Sequence, residues 1–178
     1  MINFTAKVDG NEDDVHAKIA KQCKHGIVEI GVLYGDTSAL LCKNSNVPVY
    51  GIDPIIPDSM KKTLIGNLDV IKSKTQAFSY YTFIQDYSWN IATSFSFPFD
   101  YLFLDGDHQY ESVLRDFNEW FPKLMIGGHI AFHDSCMYRG GAPYWPGPSK
   151  VADSCLTDPR LEYIESVYSL TVFKKLKD

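Results

Sequence analysis

Short apolar runs rich in β-branched residues alternate along the chain with longer stretches of helical spacing. Residues 27–32 form the first such run, and helical spacing over residues 13–23 precedes it. We predict strands at the apolar runs and helices at the longer stretches, because apolar positions recur there with the periods of those elements. Further strands are expected at residues 47–53, 79–84, 99–105 and 129–133, and further helices at residues 36–42, 59–73 and 110–124.

The end of the chain departs from this alternation. Residues 161–167 and 170–176 are two strand-like runs separated by very few residues, which is typical of a β-hairpin. Strand–helix alternation favours a parallel sheet with helices on both faces, and the hairpin adds an antiparallel strand. The predicted fold is an α/β, Rossmann-like, doubly wound sheet of seven strands, mostly parallel, with a C-terminal antiparallel hairpin. Residues 1–178 are expected to form a single domain.

Composition and charge narrow the range of partners. The formal net charge is −5, and no run of Lys and Arg is longer than the pair Lys174 and Lys175. A nucleic-acid binder normally carries a basic stripe, so we expect no nucleic-acid partner.

No apolar run approaches the roughly 20 residues that span a bilayer, so we expect no membrane association. The N-terminus lacks an apolar signal segment and the cysteines form no CxxC pair, which predicts a cytoplasmic protein with reduced thiols.

A turn with two glycines follows the first predicted strand. Gly31 and Gly35 would let the backbone approach a ligand, and the helix expected from Asp36 would point free N–H groups at it. Two glycines can also simply shape a tight loop. Asp53 ends the second strand about twenty residues after Gly31, where a carboxylate can accept both hydroxyls of a ribose. Asp86 follows the third strand, where it could meet an adenine edge or cap a helix.

Acid and imidazole groups follow the fourth and fifth predicted strands. The fourth ends at Asp105, with His108 three residues later, and the fifth ends at His133 and Asp134. Adjacent parallel strands would bring Asp105, His133 and Asp134 into one cleft. Carboxylates suit Mg²⁺, and an imidazole favours Mn²⁺ or another transition metal. We therefore predict a divalent metal site at these three residues; the alternative is that the carboxylates cap the strand ends.

These motifs resemble those of a known family. The string Val-Glu-Ile-Gly-Val-Leu-Tyr-Gly-Asp-Thr-Ser, from residue 28, is similar to motif I of class I S-adenosylmethionine-dependent methyltransferases. Two later strings, Leu-Asp-Gly-Asp-His-Gln-Tyr and Gly-Gly-His-Ile-Ala-Phe-His-Asp-Ser, resemble those of the macrocin and cephalosporin-biosynthesis O-methyltransferases, relatives of catechol O-methyltransferase. The resemblance runs from about residue 28 to the C-terminus. It implies O-methylation of a small hydroxylated acceptor such as a sugar, a phenol or a natural product.

The resemblance also implies a role for each matching residue. His108 would be the catalytic base that takes the proton of the acceptor hydroxyl; the alternative is a surface histidine that caps a helix. Asp105 and Asp134 would bind the metal, with His133 as an additional ligand. The residues expected to bind S-adenosylmethionine are Glu29, Gly31, Gly35, Ser38, Asp53, Asp86 and Asp105.

Two departures from the family pattern matter. Ser135 stands where catechol-type enzymes have an asparagine ligand, which predicts a weaker or differently built metal site. The chain is also short, so substrate contacts would come from loops such as residues 137–149, from the N-terminal segment or from a partner subunit in a homo-oligomer. The aromatic residues of segment 138–148 could face a sugar ring or planar substrate, or complete the core.

Two other classes of protein are compatible with parts of the pattern. A methyltransferase-like binding module without catalysis would keep the fold and lose turnover. An NAD-dependent dehydrogenase would share the first strands, but the spacing of Gly31 and Gly35 is not GxGxxG and a terminal hairpin is wrong for it.

Overall fold

The apolar runs of the sequence form strands, and helices connect them. The computed structural model describes residues 10–59, 62–135 and 145–178. The strands in these ranges are β1 (Ile27–Ile30), β2 (Val49–Ile52), β3 (Tyr81–Ile84), β4 (Phe99–Leu104), β5 (Leu124–Phe132), β6 (Leu161–Val167) and β7 (Leu170–Lys175). The α-helices there are α1 (Glu12–Ala20), α2 (Asp36–Asn44), α3 (Leu68–Thr75), α4 (Ser88–Ala92), α5 (Tyr110–Trp120) and α6 (Pro146–Cys155), and a 3₁₀ turn (Phe121–Lys123) follows α5.

The strands form one seven-stranded sheet in the order β3-β2-β1-β4-β5-β7-β6. The five strands from β3 to β5 are parallel, and β7 runs antiparallel to both β5 and β6. The predicted Rossmann-like α/β sheet with its C-terminal antiparallel hairpin is therefore confirmed. In the register, Ile30 lies beside both Ile52 and Leu104, and Leu104 lies beside Phe132. The carboxyl ends of β1, β2, β4 and β5 therefore meet at one edge of the sheet.

The core has two layers, one on each face of the sheet. Along β4, Leu102 and Leu104 join the layer that contains the apolar stripe of α5, whereas Tyr101 and Phe103 join the layer that contains α1. Successive side chains of a strand point to opposite faces, so a buried strand must be apolar on both. This is why the parallel strands appear in the sequence as unbroken apolar runs.

Four elements differ from the sequence-based predictions. Strand β5 begins at Leu124, not at residue 129, so it takes up the end of the stretch predicted to be a helix over residues 110–124. The helix expected at residues 59–73 is present only as α3, because Asn67 caps its N-terminus by accepting a hydrogen bond from the N–H of Val70 at 3.1 Å. The short helix α4 and the helix α6 were not predicted. Helix α6 begins at Pro146, inside the segment interpreted as a loop, because proline is tolerated in the first turn, where the N–H has no intrahelical partner.

No helix in the described part of the chain combines the length and the apolar composition required to cross a lipid bilayer.

Candidate active site

A cavity of about 310 Å³ lies at the carboxyl ends of β1, β2, β4 and β5. This is the edge where open α/β sheets bind their ligands. Much of its wall is apolar, with Leu33, Ile56, Pro57, Leu64 and Trp89 among the lining residues. The residues of the sequence-predicted site that line the cavity are Gly31, Asp53, Asp105, His108, His133 and Asp134.

Gly31 begins the loop between β1 and α2, and only glycine fits there. Its φ is +86°, and an added Cβ would lie 2.0 Å from the carbonyl oxygen of Asp105. The loop is held by Asp53, whose Oδ2 accepts hydrogen bonds from the N–H groups of Val32 at 2.8 Å and Leu33 at 3.0 Å. Asp53 Oδ1 accepts a third from Ile55 at 2.7 Å. The acid at the end of β2 therefore shapes the backbone that borders the cavity.

Glu29, Ser38 and Gly35 lie outside the cavity wall. Glu29 is 1% exposed and accepts a hydrogen bond from the hydroxyl of Ser38, which is 3.1 Å from the Tyr81 hydroxyl. Burial raises the pKa of Glu29 to about 8, against the opposing effect of the Ser38 hydrogen bond. Gly35 has a φ of +74° and packs against Ile71 of α3. The three residues brace the loop from beneath, and direct contact with a cofactor stays a prediction for them.

Asp86 also lies outside the cavity wall. Its Oδ1 accepts hydrogen bonds from the Tyr87 N–H at 2.7 Å and the Asn90 side chain at 2.8 Å, so it stabilises the turn into α4. The cavity is lined instead by the next residues, Tyr87, Ser88 and Trp89. The Tyr87 and Trp89 rings stack with their centroids 4.6 Å apart. Recognition of adenine by Asp86 therefore stays a prediction that this geometry does not favour.

His108 lies in the cavity wall between two carboxylates. It is 6% exposed, with Nδ1 2.9 Å from Asp58 Oδ2 and Nε2 3.1 Å from Asp134 Oδ2, and its ring packs on Trp145 at 4.3 Å. Burial lowers the pKa of His108, but the hydrogen bonds to Asp134 and Asp58 outweigh it, so the pKa lies above its ordinary value. A carboxylate–imidazole–carboxylate arrangement can hold and move a proton beside the cavity.

Asp58 was not predicted from the sequence. It lies in the segment interpreted as leading into a helix, and its N–H donates to the carbonyl of Leu64 at 2.8 Å. Ser59, beside it, donates through its backbone N–H to Asp107 Oδ1 at 3.2 Å. The sequence offered little sign that Asp58 contacts His108, because the two residues are 50 positions apart in the chain. The one indication was an acid in a proline-containing stretch after β2.

His133 lies between three carboxylates in a second ionic cluster. Its Nδ1 is 3.0 Å from Asp105 Oδ1 and 3.7 Å from Asp134 Oδ2, and its Nε2 is 3.3 Å from Glu12 Oε2. The approach to Asp105 is close but misaligned for a hydrogen bond, so the contact is an ion pair. Burial opposes the charge on His133, yet the surrounding carboxylates raise its pKa to about 11. The three carboxylates therefore favour the charged form of His133.

The predicted metal centre at Asp105, His133 and Asp134 is not supported by this geometry. Within residues 10–59, 62–135 and 145–178, no group of three or more His, Cys, Asp or Glu side chains is arranged to hold a metal ion. His133 directs Nδ1 at Asp105 and Asp134 and Nε2 at Glu12, so the three predicted ligands face one another and not a shared cation position. Ser135 is turned away, since its hydroxyl donates to Thr171 Oγ1 at 2.7 Å.

A family comparison agrees with the fold. Residues 28–135, more than half of the chain, match the model of a family described as a methyltransferase domain. The chain belongs to this methyltransferase family. The matched region begins in β1 and ends just after β5, so it contains the glycine loop, Asp53, His108 and Asp134. The narrower resemblance to the macrocin group stays a prediction.

A curated relative from Acanthamoeba polyphaga mimivirus, the uncharacterized protein R132, is 30% identical over 129 residues. The matched region is 70% of this chain and 58% of that protein, so this chain spans less than two thirds of the relative's length.

Solved structures share the whole fold. The O-methyltransferase from Bacillus cereus in complex with SAH (S-adenosylhomocysteine) has a TM-score of 0.65 and 16% identity, over 96% of this chain and 84% of that one. An rRNA methylase from Streptococcus thermophilus has a TM-score of 0.63 and 15% identity, over 93% of this chain and 95% of that one. At such identities the likeness shows the fold alone.

Proposed function

We propose that this protein transfers the methyl group of S-adenosylmethionine to a hydroxyl group of a small acceptor, such as a sugar, a phenol or a natural product. The observation that carries this proposal is that one cavity is bordered by the Gly31 loop, by Asp53 and by His108 with its two carboxylate partners. The O-methyltransferase with bound SAH supports the choice of donor and of reaction. The alternative, a binding module without catalysis, would share the cofactor site and differ only in turnover.

The cavity fits the proposed cofactor. Its volume of about 310 Å³ lies at the lower end of the range of about 300–1,000 Å³ for small-molecule sites. The missing side chain at Gly31 lets the loop after β1 pack against the backbone of Asp105 at the cavity. Asp53 Oδ1, which accepts only the Ile55 N–H among the described groups, keeps lone pairs for a ribose hydroxyl. When bound, S-adenosylmethionine supplies an electrophilic methyl group on its sulfonium.

His108 is the proposed base at the other end of the cavity. Asp58 orients the ring through Nδ1, so that Nε2 is the nitrogen that accepts the proton of the acceptor hydroxyl. Nε2 lies 3.1 Å from Asp134 Oδ2, a contact that the protonated ring makes. To act as the base, His108 would have to be neutral, with the acceptor hydroxyl inserted between Nε2 and Asp134. The apolar wall around them limits water and strengthens these electrostatic contacts.

The first test concerns the cofactor. Asp53→Ala should weaken binding of S-adenosylhomocysteine, measured by calorimetry, by about 10- to 150-fold, which corresponds to roughly 1.5–3 kcal/mol for a charge-assisted pair. The mutation removes the ribose acceptor and also releases the N–H groups of Val32 and Leu33.

Asp100→Ala is the matched control. Asp100 also accepts backbone hydrogen bonds from a loop next to β1, at 2.7 Å from the Lys24 N–H, but it lies at the opposite end of the sheet. It should lower stability without changing the affinity for S-adenosylhomocysteine. Equal affinities of wild type and Asp53→Ala would remove Asp53 from the site.

The second test concerns the metal. Because the described donors do not fit a cation, methyl transfer should proceed at an unchanged rate in excess chelator. The measurement is turnover of an acceptor, found by screening hydroxylated compounds with radiolabelled S-adenosylmethionine, before and after dialysis against chelator. Activity that is lost and then restored by Mg²⁺ or Mn²⁺ would reinstate the metal centre predicted from the sequence.

A further inference from the structure

A buried carboxyl group of α5 lines the cavity beside Gly106 and the start of α4. Asp116 is 5% exposed and lies on the stripe of α5 that carries Val113, Phe117 and Trp120. Its Oδ1 accepts a hydrogen bond from the Ser88 hydroxyl, at the start of α4. Its Oδ2 points toward Gly106, lying 3.5 Å from the position that a Cβ would take there. Both Ser88 and Gly106 line the same cavity.

Oδ2 of Asp116 is left for a ligand. Among residues 10–59, 62–135 and 145–178, no hydrogen bond reaches this atom and no cation lies within ion-pair distance of it. The adjacent Arg115 places its guanidinium over the Trp89 ring at 4.3 Å. Burial raises the pKa of Asp116 to about 7, against the Ser88 hydrogen bond. A carboxyl group on an apolar helix face destabilises the fold unless it is paired. Its presence beside a cavity therefore points to a role in binding a ligand there.

The neighbouring acid is already occupied. Asp107 accepts a hydrogen bond from the Ser112 hydroxyl at 2.7 Å and further hydrogen bonds from the backbone and side chain of Ser59. It is therefore held as part of the wall. Asp116 is the buried carboxyl of this side that keeps a free acceptor, and Ser88 fixes the direction in which that acceptor points.

The position of Asp116 corresponds to one part of the proposed cofactor. The Gly31 loop and Asp53 would hold the amino-acid and ribose portions, so the base would lie between the segments that follow β3 and β4. Those segments contribute Ser88 and Gly106, and the stacked Tyr87 and Trp89 rings, which flank Ser88 in the chain, also line the cavity. Asp86, the acid expected there from the sequence, does not line the cavity.

We infer that Asp116 Oδ2 accepts a hydrogen bond from the exocyclic 6-amino group of the adenine ring, and so selects adenine over bases that carry an oxygen at that position. This inference rests on the proposed function. An ionised carboxylate attracts the amino group of adenine, which donates a hydrogen bond, and repels a 6-oxo group, which carries a partial negative charge. Adenine is therefore preferred both by charge and by the direction of the hydrogen bond. Asp116 is thus a specificity-determining residue for the donor, placed on a helix that the strand-end motifs do not include.

The experiment compares two ligands by calorimetry at about pH 8. At that pH the carboxyl group of Asp116, with its pKa of about 7, is mostly ionised. The ligands are S-adenosylhomocysteine and S-inosylhomocysteine, which differ in the 6-amino or 6-oxo group and in N1, an acceptor in adenine and an N–H donor in hypoxanthine. Wild type should prefer the adenosyl ligand by about 10- to 100-fold, the effect of one charge-assisted hydrogen bond. Asp116→Asn keeps an acceptor for Ser88 and adds an N–H donor, so it should abolish or reverse the preference.

Two further variants separate recognition by Asp116 from a folding defect and from recognition by Asp86. Gly106→Ala places a methyl group against Oδ2 and meets no atom closer than 3.5 Å, so it should fold and lower the preference even where Asp116→Asn does not fold. Asp86→Asn should keep the wild-type preference. If Asp86→Asn removes the preference, or if wild type binds the two ligands equally, the inference is overturned while the proposed function stands. If wild type binds neither ligand, both are overturned.

Discussion

Gly31→Ala is expected to abolish measurable binding of S-adenosylhomocysteine and to lower the free energy of unfolding by about 2–5 kcal/mol. Two costs combine. The added Cβ would lie 2.0 Å from the carbonyl oxygen of Asp105, which is backbone and cannot swing away, and the φ of +86° disfavours any L side chain. Either β1 or β4 must then shift at the edge that borders the cavity. Chemical denaturation and calorimetry measure the two effects separately.

Gly127→Ala provides the matched control. Gly127 has the same φ of +86°, but an added Cβ there meets no atom within 4 Å. This variant therefore isolates the conformational cost, which is about 1–2 kcal/mol for a residue forced into the left-handed region. It should leave binding unchanged, because Gly127 lies at the opposite end of the sheet. If the two variants are equally stable and bind equally well, the close contact between Gly31 and Asp105 does not hold the site together.

His108→Ala is expected to lower turnover by about 10²–10⁴-fold, the usual contribution of a general base. The affinity for S-adenosylhomocysteine should barely change, because the imidazole faces the acceptor end of the cavity. Part of the lost rate should return at high pH, where the acceptor hydroxyl ionises without help. A residue that only positions the substrate would show no such recovery. The measurement is the pH dependence of turnover for wild type and variant with any accepted hydroxylated compound.

Two comparisons separate the base from a merely buried histidine. Asp58→Asn removes the charge that orients Nδ1 and should lower turnover by less than His108→Ala does. His129→Ala replaces a half-buried histidine of β5 at the far end of the sheet and should leave turnover unchanged. Wild-type turnover in His108→Ala across the neutral range would show that His108 serves the fold only, and the base would then be sought elsewhere in the cavity.

The alternation of side chains along β1 explains why Glu29 does not reach the cavity. Ile30 lines the cavity, whereas Glu29 precedes it by one residue and points to the other face of the sheet. Motif matching placed Glu29 and Ser38 in the cofactor site because they belong to the same string as Gly31. In the structure they pair with each other beneath the loop.

The residues that were missed come from elements whose place depends on the rest of the fold. Asp58 reaches His108 from a segment whose conformation follows no helical or strand period. Asp116 lies within a helix that the sequence predicted. The signal that could have revealed it was a charged residue on the otherwise apolar stripe of that helix. The metal prediction assumed that neighbouring carboxylates and an imidazole would converge on a cation. They form ion pairs instead, because Glu12 of α1 adds a further negative charge to His133.

The sequence by itself determined the order of the strands along the chain, the presence of α1, α2, α3 and α5, the terminal hairpin and the set of acids and imidazoles at the strand ends. These features depend on local periodicity and on the direction of parallel strands. Only the tertiary structure decided which of those groups meet. His108 pairs with Asp58 and Asp134, His133 pairs with Asp105, and Asp116 turns a buried carboxyl toward the cavity. These pairings join residues far apart in the chain, and their geometry follows from how helices and loops pack on the sheet.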